Sequence, residues 1–218
     1  RAKVGETTPS ATIAQLFNYG ALTVKTPLTV NVALTNGAAN VAPAATMTLD
    51  ATVTTSSVSN YATMTVNANQ SWTYQGLTAS VTTGSGQSAQ TTTYKPTLTI
   101  ASDKSFGNNS STNAGDITNN GTLVIGTNAG KIINNYSTEV TTNNDTIVNN
   151  VSVLENGAPL VVATNSTTGV ITTVADSQTD ISTANNGKIY WVEDAFINGL
   201  ENVTGSHTEI GNVIYQVN

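Results

Sequence analysis

The residues able to do covalent or metal chemistry are few and far apart. The chain has no cysteine and one histidine, His207. That excludes thiol catalysis, disulfides and thiolate metal centres, and leaves too few ligands for a zinc site. A serine nucleophile would have to use His207 as its base, and no G-x-S-x-G elbow is present. The acids form two loose groups. Asp176 and Asp180 flank a Ser-Gln-Thr stretch, and Glu193, Asp194 and Glu201 lie near one another. Neither group has the spaced oxygen ligands and the glycine of a calcium loop. Both read as solvated faces or as carboxylates at a helix start. An intramolecular Lys–Asn isopeptide bond needs a buried lysine, an asparagine and an adjacent carboxylate. Among six lysines, Lys95, between Tyr94 and Pro96, is the candidate, against the plainer reading of a strand-edge lysine that discourages aggregation. The expectation is a protein that is not an enzyme, with no catalytic residue, no metal and no cofactor.

Asparagine offers a different chemistry. Nine Asn-X-Ser/Thr sequons occur, at Asn69, Asn108, Asn109, Asn120, Asn135, Asn144, Asn150, Asn165 and Asn202. Composition alone would generate roughly seven, so the count carries little weight. Five of them crowd residues 108–144, which reads as exposed loop, and N-linked glycans are expected there.

The setting follows from charge. Asp, Glu, Lys and Arg make up only 9% of the 218 residues, and the net charge is −6. Ordinary soluble domains carry about 25% charged residues. Here Thr, Asn and Ser supply the polar surface. No basic footprint suggests nucleic acid, and no apolar run approaches the roughly 20 residues of a membrane span. A hydroxyl and amide surface stays hydrated whatever the pH or salt, as suits an extracellular structural protein. If the protein is secreted, Arg1 is a processed end. Few carboxylates also imply little change of stability in acid. Five Asn-Gly pairs, at Asn36, Asn120, Asn156, Asn186 and Asn198, would deamidate slowly in an acidic habitat, or are simply hairpin turns in a neutral one.

Period-two alternation runs through the chain. Leu28, Val30, Val32 and Leu34 fall on one face, then Met47, Leu49, Ala51 and Val53, and the pattern continues to Val217. With turn signals every 8–12 residues, the expected fold is all-β: an Ig-like or pilin-like β-sandwich, with a second small sheet as an option. Helical signal is confined to residues 8–17 and 193–200. Three regions are expected: a tail over 1–24, a first sandwich part over 25–102, and an Asn-rich β region over 103–218. In the last, Asn doublets begin at 108, 119, 134, 143 and 149. Spacings of 11, 15, 9 and 6 read as too irregular for a strict solenoid.

The Thr/Asn/Ser-rich body, the absence of cysteine, the sequon-rich loops and the tail RAKVGETTPSATIAQLFNYGALTV resemble the thread-filament subunits of thermoacidophilic Crenarchaea. This likeness is one of composition and layout over the whole chain. It implies a glycosylated cell-surface filament, built from copies of the chain by donor-strand complementation, for adhesion or biofilm. Ile13, Phe17, Leu22 and Val24 would then be the side chains inserted into the next subunit. The alternative is a surface-layer or adhesin module of a cell-envelope protein.

Overall fold

Short strands build this molecule, most turning one or two apolar residues inward and many adding a buried asparagine at the end. The computed structural model describes residues 10–150, 161–173, 187–191, 207–210 and 213–217. The chain first runs through β1 (Ala11–Asn18), turns, and forms β2 (Ala21–Val24). It then repeats that path: β3 (Leu28–Asn36) with β4 (Thr46–Leu49), a two-residue β5 (Val53–Thr54), and β6 (Ser57–Asn60) with β7 (Thr63–Val66). In the next turn β8 (Thr73–Gly76) is separated from β11 (Thr97–Ile100) by an inserted hairpin of β9 (Ala79–Thr83) and β10 (Gln90–Tyr94). The path closes up after that. β12 (Ser105–Asn113) leads to β13 (Asp116–Asn119), β14 (Thr122–Asn128) to β15 (Lys131–Asn134), and β16 (Ser137–Asn143) to β17 (Thr146–Asn149). β18 (Val161–Asn165) and β19 (Val170–Thr173) complete the series.

The first strand of each turn joins one sheet, here called A, and the second joins sheet B. Sheet B runs β2-β4-β7-β11-β13-β15-β17-β19, and all its pairs are parallel. Sheet A is parallel from β1 to β18. It ends in antiparallel pairs with β20 (Gly187–Trp191), β22 (Val213–Val217) and β21 (His207–Ile210). The architecture is a two-sheeted parallel β-solenoid. All-β was the correct class; the Ig-like sandwich was not. A sandwich joins neighbours by antiparallel hairpins, whereas here a strand's partner lies one full turn away.

Three local expectations change with it. Residues 11–18 form a strand, not a helix. Asn36-Gly37 and Asn120-Gly121 turn the chain from sheet A to B, or from B to A, instead of closing hairpins. Val32 points outward and is 60% exposed, because β3 carries one extra residue where Val30–Ala33 faces Ile13–Gln15, which breaks its own alternation. The candidate helix at 193–200 lies outside the described residues. Both sheets also run unbroken across the composition shift near Ser102.

The core is a single apolar file between the sheets. Met47, Met64, Leu98, Ile117, Ile132, Ile147 and Ile171 stack from sheet B, and Val30, Leu34, Val58, Leu123, Ile125, Val140 and Val161 come from sheet A. Trp72, Phe106 and Tyr74 fill the middle edge-on, with ring centroids 5.0 and 5.5 Å apart. Buried Gln70 seals that region. Its Oε1 accepts from Val53 N at 2.9 Å and from Trp72 Nε1 at 3.1 Å, and its Nε2 donates to Ala51 O at 3.0 Å.

Candidate functional site

The corners, where one sheet passes to the other, are lined by buried asparagines. At the A-to-B corner, Asn18 Nδ2 donates to Asn36 Oδ1 and Asn36 Nδ2 to Asn60 Oδ1, each at 2.8 Å. The same column resumes with Asn113, Asn128, Asn143 and Asn165, linked at 2.9, 2.8 and 2.8 Å. A second column, at the B-to-A corner, joins Asn119 to Asn134 and Asn134 to Asn149 at 3.0 Å each. The amide's second proton goes to a backbone carbonyl: Asn36 to Thr63 O, Asn128 to Gly130 O, Asn119 to Ser137 O. Its oxygen also takes a backbone N–H two residues on, as Gly115, Gly121 and Gly130 do. Each side chain therefore fixes its own corner and the next. Asparagine suits the position because it is short and carries both donor and acceptor.

One turn departs from the rule. Gly76 holds the corner in β8, and the Tyr74 hydroxyl accepts from Asn60 Nδ2 at 3.2 Å in place of an asparagine oxygen. A Cβ on Gly76 would fall 2.8 Å from the Tyr74 ring, so phenol and glycine are a matched pair. Burial pushes the Tyr74 phenol upward, with the Asn60 hydrogen bond opposing in part.

No family model, curated protein or solved structure matches the chain.

A third asparagine column runs outside. Asn135 Nδ2 donates to Asn120 Oδ1 at 2.7 Å, and Asn150 Nδ2 to Asn135 Oδ1 at 3.0 Å. All three belong to sequons, and a glycan on Asn135 or Asn150 would replace one proton of an amide already engaged. Asn69 and Asn109 are exposed. Asn108 and Asn144 are half-buried, and Asn108 Nδ2 donates to Ser71 O at 2.9 Å. Asn165 is buried in the inner column, which leaves no room for a glycan there. Asn202 lies outside the described residues.

The four tail side chains occupy the chain's own first turn. Ile13 and Leu22 pack partly buried against the core, Val24 is buried within it, and Phe17 is 50% exposed. The reason is backbone pairing: β1 adds to β3 and β2 to β4. Lys95 is exposed between β10 and β11, which denies it the burial an isopeptide bond requires. Asp176, Asp180, Glu193, Asp194 and Glu201 lie outside the described residues. Among the described residues no group of three or more His, Asp or Glu converges. The inner columns themselves escape a reading of doublets, because two columns interleave in sequence. Their signal is the repeat of 15 within each: 113, 128, 143 and 119, 134, 149.

Proposed function

We propose that this chain is a structural unit of an extracellular surface filament, extended by adding strands of one copy to the sheet edges of another. It has no enzymatic role in this reading. The observation that carries it is the first turn. β1 and β2 end their sheets, and one backbone edge of each lacks a partner among the described residues. Among the described residues Asn18 Oδ1 accepts only from Gly20 N, so the inner column can take one more donor. A strand from a second copy would continue both ladder and column, by the logic of strand addition. The contact is head-to-tail and does not close. Low charge lets lateral surfaces approach without repulsion, and glycans on the outer asparagines would keep such fibres hydrated.

The test is electron microscopy of the purified chain beside a variant with Ala14→Lys and Gln15→Lys. Both positions are exposed on β1, and edge lysines oppose strand addition. Fibres one solenoid wide, lost in the variant, are expected. A chain that stays monomeric at high concentration rejects the reading.

A second reading, a stalk or coat module within a larger envelope protein, draws on the β9–β10 hairpin. It stands off the solenoid, and residues 82–92 are all exposed; Thr82 pairs with Thr91, and Ser80 with Thr93, through their hydroxyls. An uncharged projecting finger suits a recognition element on a rigid support. It predicts monomers that bind cell surfaces, with binding lost on removal of the finger.

A further inference from the structure

The outer face of sheet B carries a lattice that the assembly reading does not use. Its outward positions, in register turn by turn, are Ala21 and Thr23, Thr46 and Thr48, Thr63 and Thr65, Thr97 and Thr99, then Asp116 and Thr118. One column is thus threonine in five consecutive strands, and its neighbour in three. The residues between them point into the core, which holds every threonine at a fixed height.

Three properties set this face apart. Sheet B pairs without a single register shift among its described pairs, whereas sheet A is shifted at β1–β3, β12–β14 and β16–β18. Its hydroxyls are largely free: Thr23, Thr48, Thr65, Thr99 and Thr118 make no hydrogen bond within the described residues, and only Thr97 and Thr63 share one, at 3.1 Å. From β2 to β13 its outward positions hold one charge, Asp116, and no aromatic ring. The absence of rings leaves no platform for stacking a sugar or a base.

Backbone geometry sets the grid. Neighbouring strands lie about 4.8 Å apart, and alternate residues along a strand about 6.6 Å apart. On its prism faces the oxygen lattice of hexagonal ice has one repeat close to the strand spacing and a second somewhat longer than the spacing along a strand. A threonine offers a hydroxyl to join such a lattice and a methyl around which water orders. Rigidity matters equally, because a face already held in register loses little entropy on meeting a crystal. We infer that the outward face of sheet B from β2 to β13 binds the surface of ice.

This site is independent of filament assembly and needs no second copy. It opposes the likeness to fibres of hot acid habitats, since ice contact belongs to a cold medium. The full chain should be labelled and frozen slowly onto a cold finger, with its distribution between ice and liquid measured beside thermal hysteresis. Wild type should enter the ice and shape growing crystals. Thr65→Tyr, and separately Thr48→Tyr, should be excluded from ice while keeping the wild-type far-ultraviolet spectrum. Thr112→Tyr, exposed on sheet A, should still enter. Exclusion of wild type overturns the inference, whatever the variants do. Entry of a folded Thr65→Tyr or Thr48→Tyr chain at the wild-type level overturns the assignment of the face.

Discussion

From Asn113, at the end of β12, to β17 the solenoid repeats every fifteen residues; before that point no two turns match. Asn113, Asn128 and Asn143 are bonded at separations of 15, whereas Asn18, Asn36 and Asn60 are bonded at 18 and then 24. The earlier half also swaps one asparagine for the Tyr74–Gly76 pair and carries the β9–β10 hairpin. Yet both halves show the same two parallel sheets, the same inward file and the same corner amides. What recurs is the corner, not the length of chain between corners. Loop closure penalises extra residues only slowly, so insertions ride outside the column at little cost.

That comparison breaks most sharply at the corners. Asn128→Ala removes the acceptor of Asn113 Nδ2 and the donor to Asn143 Oδ1 and Gly130 O, all buried. Each orphaned buried group costs about 1–3 kcal/mol, and together the loss should reach at least about 3 kcal/mol. Asn36→Ala, in the irregular half, strips the same kinds of partner from Asn18, Asn60 and Thr63. If corners govern both halves, urea titration should give losses of similar size. A loss at Asn36 below a third of that at Asn128 would mean that the regular repeat, not the corner, holds the fold.

Tyr74→Phe sharpens the comparison at the substituted turn. It deletes the hydroxyl that accepts from Asn60, whose amide keeps Thr97 O at 3.2 Å. A loss of about 1 kcal/mol at neutral pH is expected. The pH dependence has a definite sign. Burial raises the phenol above its ordinary 10.0, so the folded state keeps a proton that the unfolded state releases. Stability from this group is full below that value and falls as pH rises above it. Denaturant midpoints taken upward from pH 9 should drop for wild type and less steeply for Tyr74→Phe. Equal slopes would place the alkaline sensitivity elsewhere.

Much of this was legible in the chain. Alternation such as Met47/Leu49 and Met64/Val66 marks strands because one or two inward apolar residues per strand are what a thin core needs. The pairing was not legible, since a parallel partner one turn away leaves no local mark, unlike a hairpin. Spacings of 9 and 6 between the doublets at 134, 143 and 149 hide the repeat, although together they span the 15 residues of one rung. Val32 misled because a bulge reverses the face of a strand without altering its composition. Ile13, Leu22 and Val24 read as apolar and available; that they cover the chain's own first turn depends on the edges of β3 and β4.

The outer column tests whether asparagine stacking stabilises without burial. Asn135 bonds to both Asn120 and Asn150, at the same spacing of 15 as the inner columns, but in contact with water. Water replaces lost partners there, so Asn135→Ala should cost no more than about 0.5–1 kcal/mol, several-fold less than Asn128→Ala. Thermal unfolding of both variants under one condition makes the check. Equal losses would show that stacking geometry matters more than burial.

The smallest effect expected is also the most direct test of chain length against corner. The β9–β10 hairpin enters between β8 and β11 and pairs with no other strand among the described residues, running from Ala79 with Tyr94 to Thr83 with Gln90, while Ser80 N at its base donates to Ala39 O at 2.7 Å. Ala79 at its base is buried and must stay, but residues 82–92 are exposed throughout. Replacing residues 82–91 with Asn-Gly would join Val81 to Thr92, which already face each other, through a two-residue turn suited to a right-twisted hairpin. The solenoid's pairs from β8 to β12 and from β11 to β13 are untouched. Shortening the excursion lowers the closure cost slightly, so stability should change by less than about 0.5 kcal/mol, with a gain as easily as a loss. A trimmed chain that unfolds several kcal/mol earlier would show that the finger braces the irregular half. The turns before β12 would then hold together by their insertions as well as by their corners.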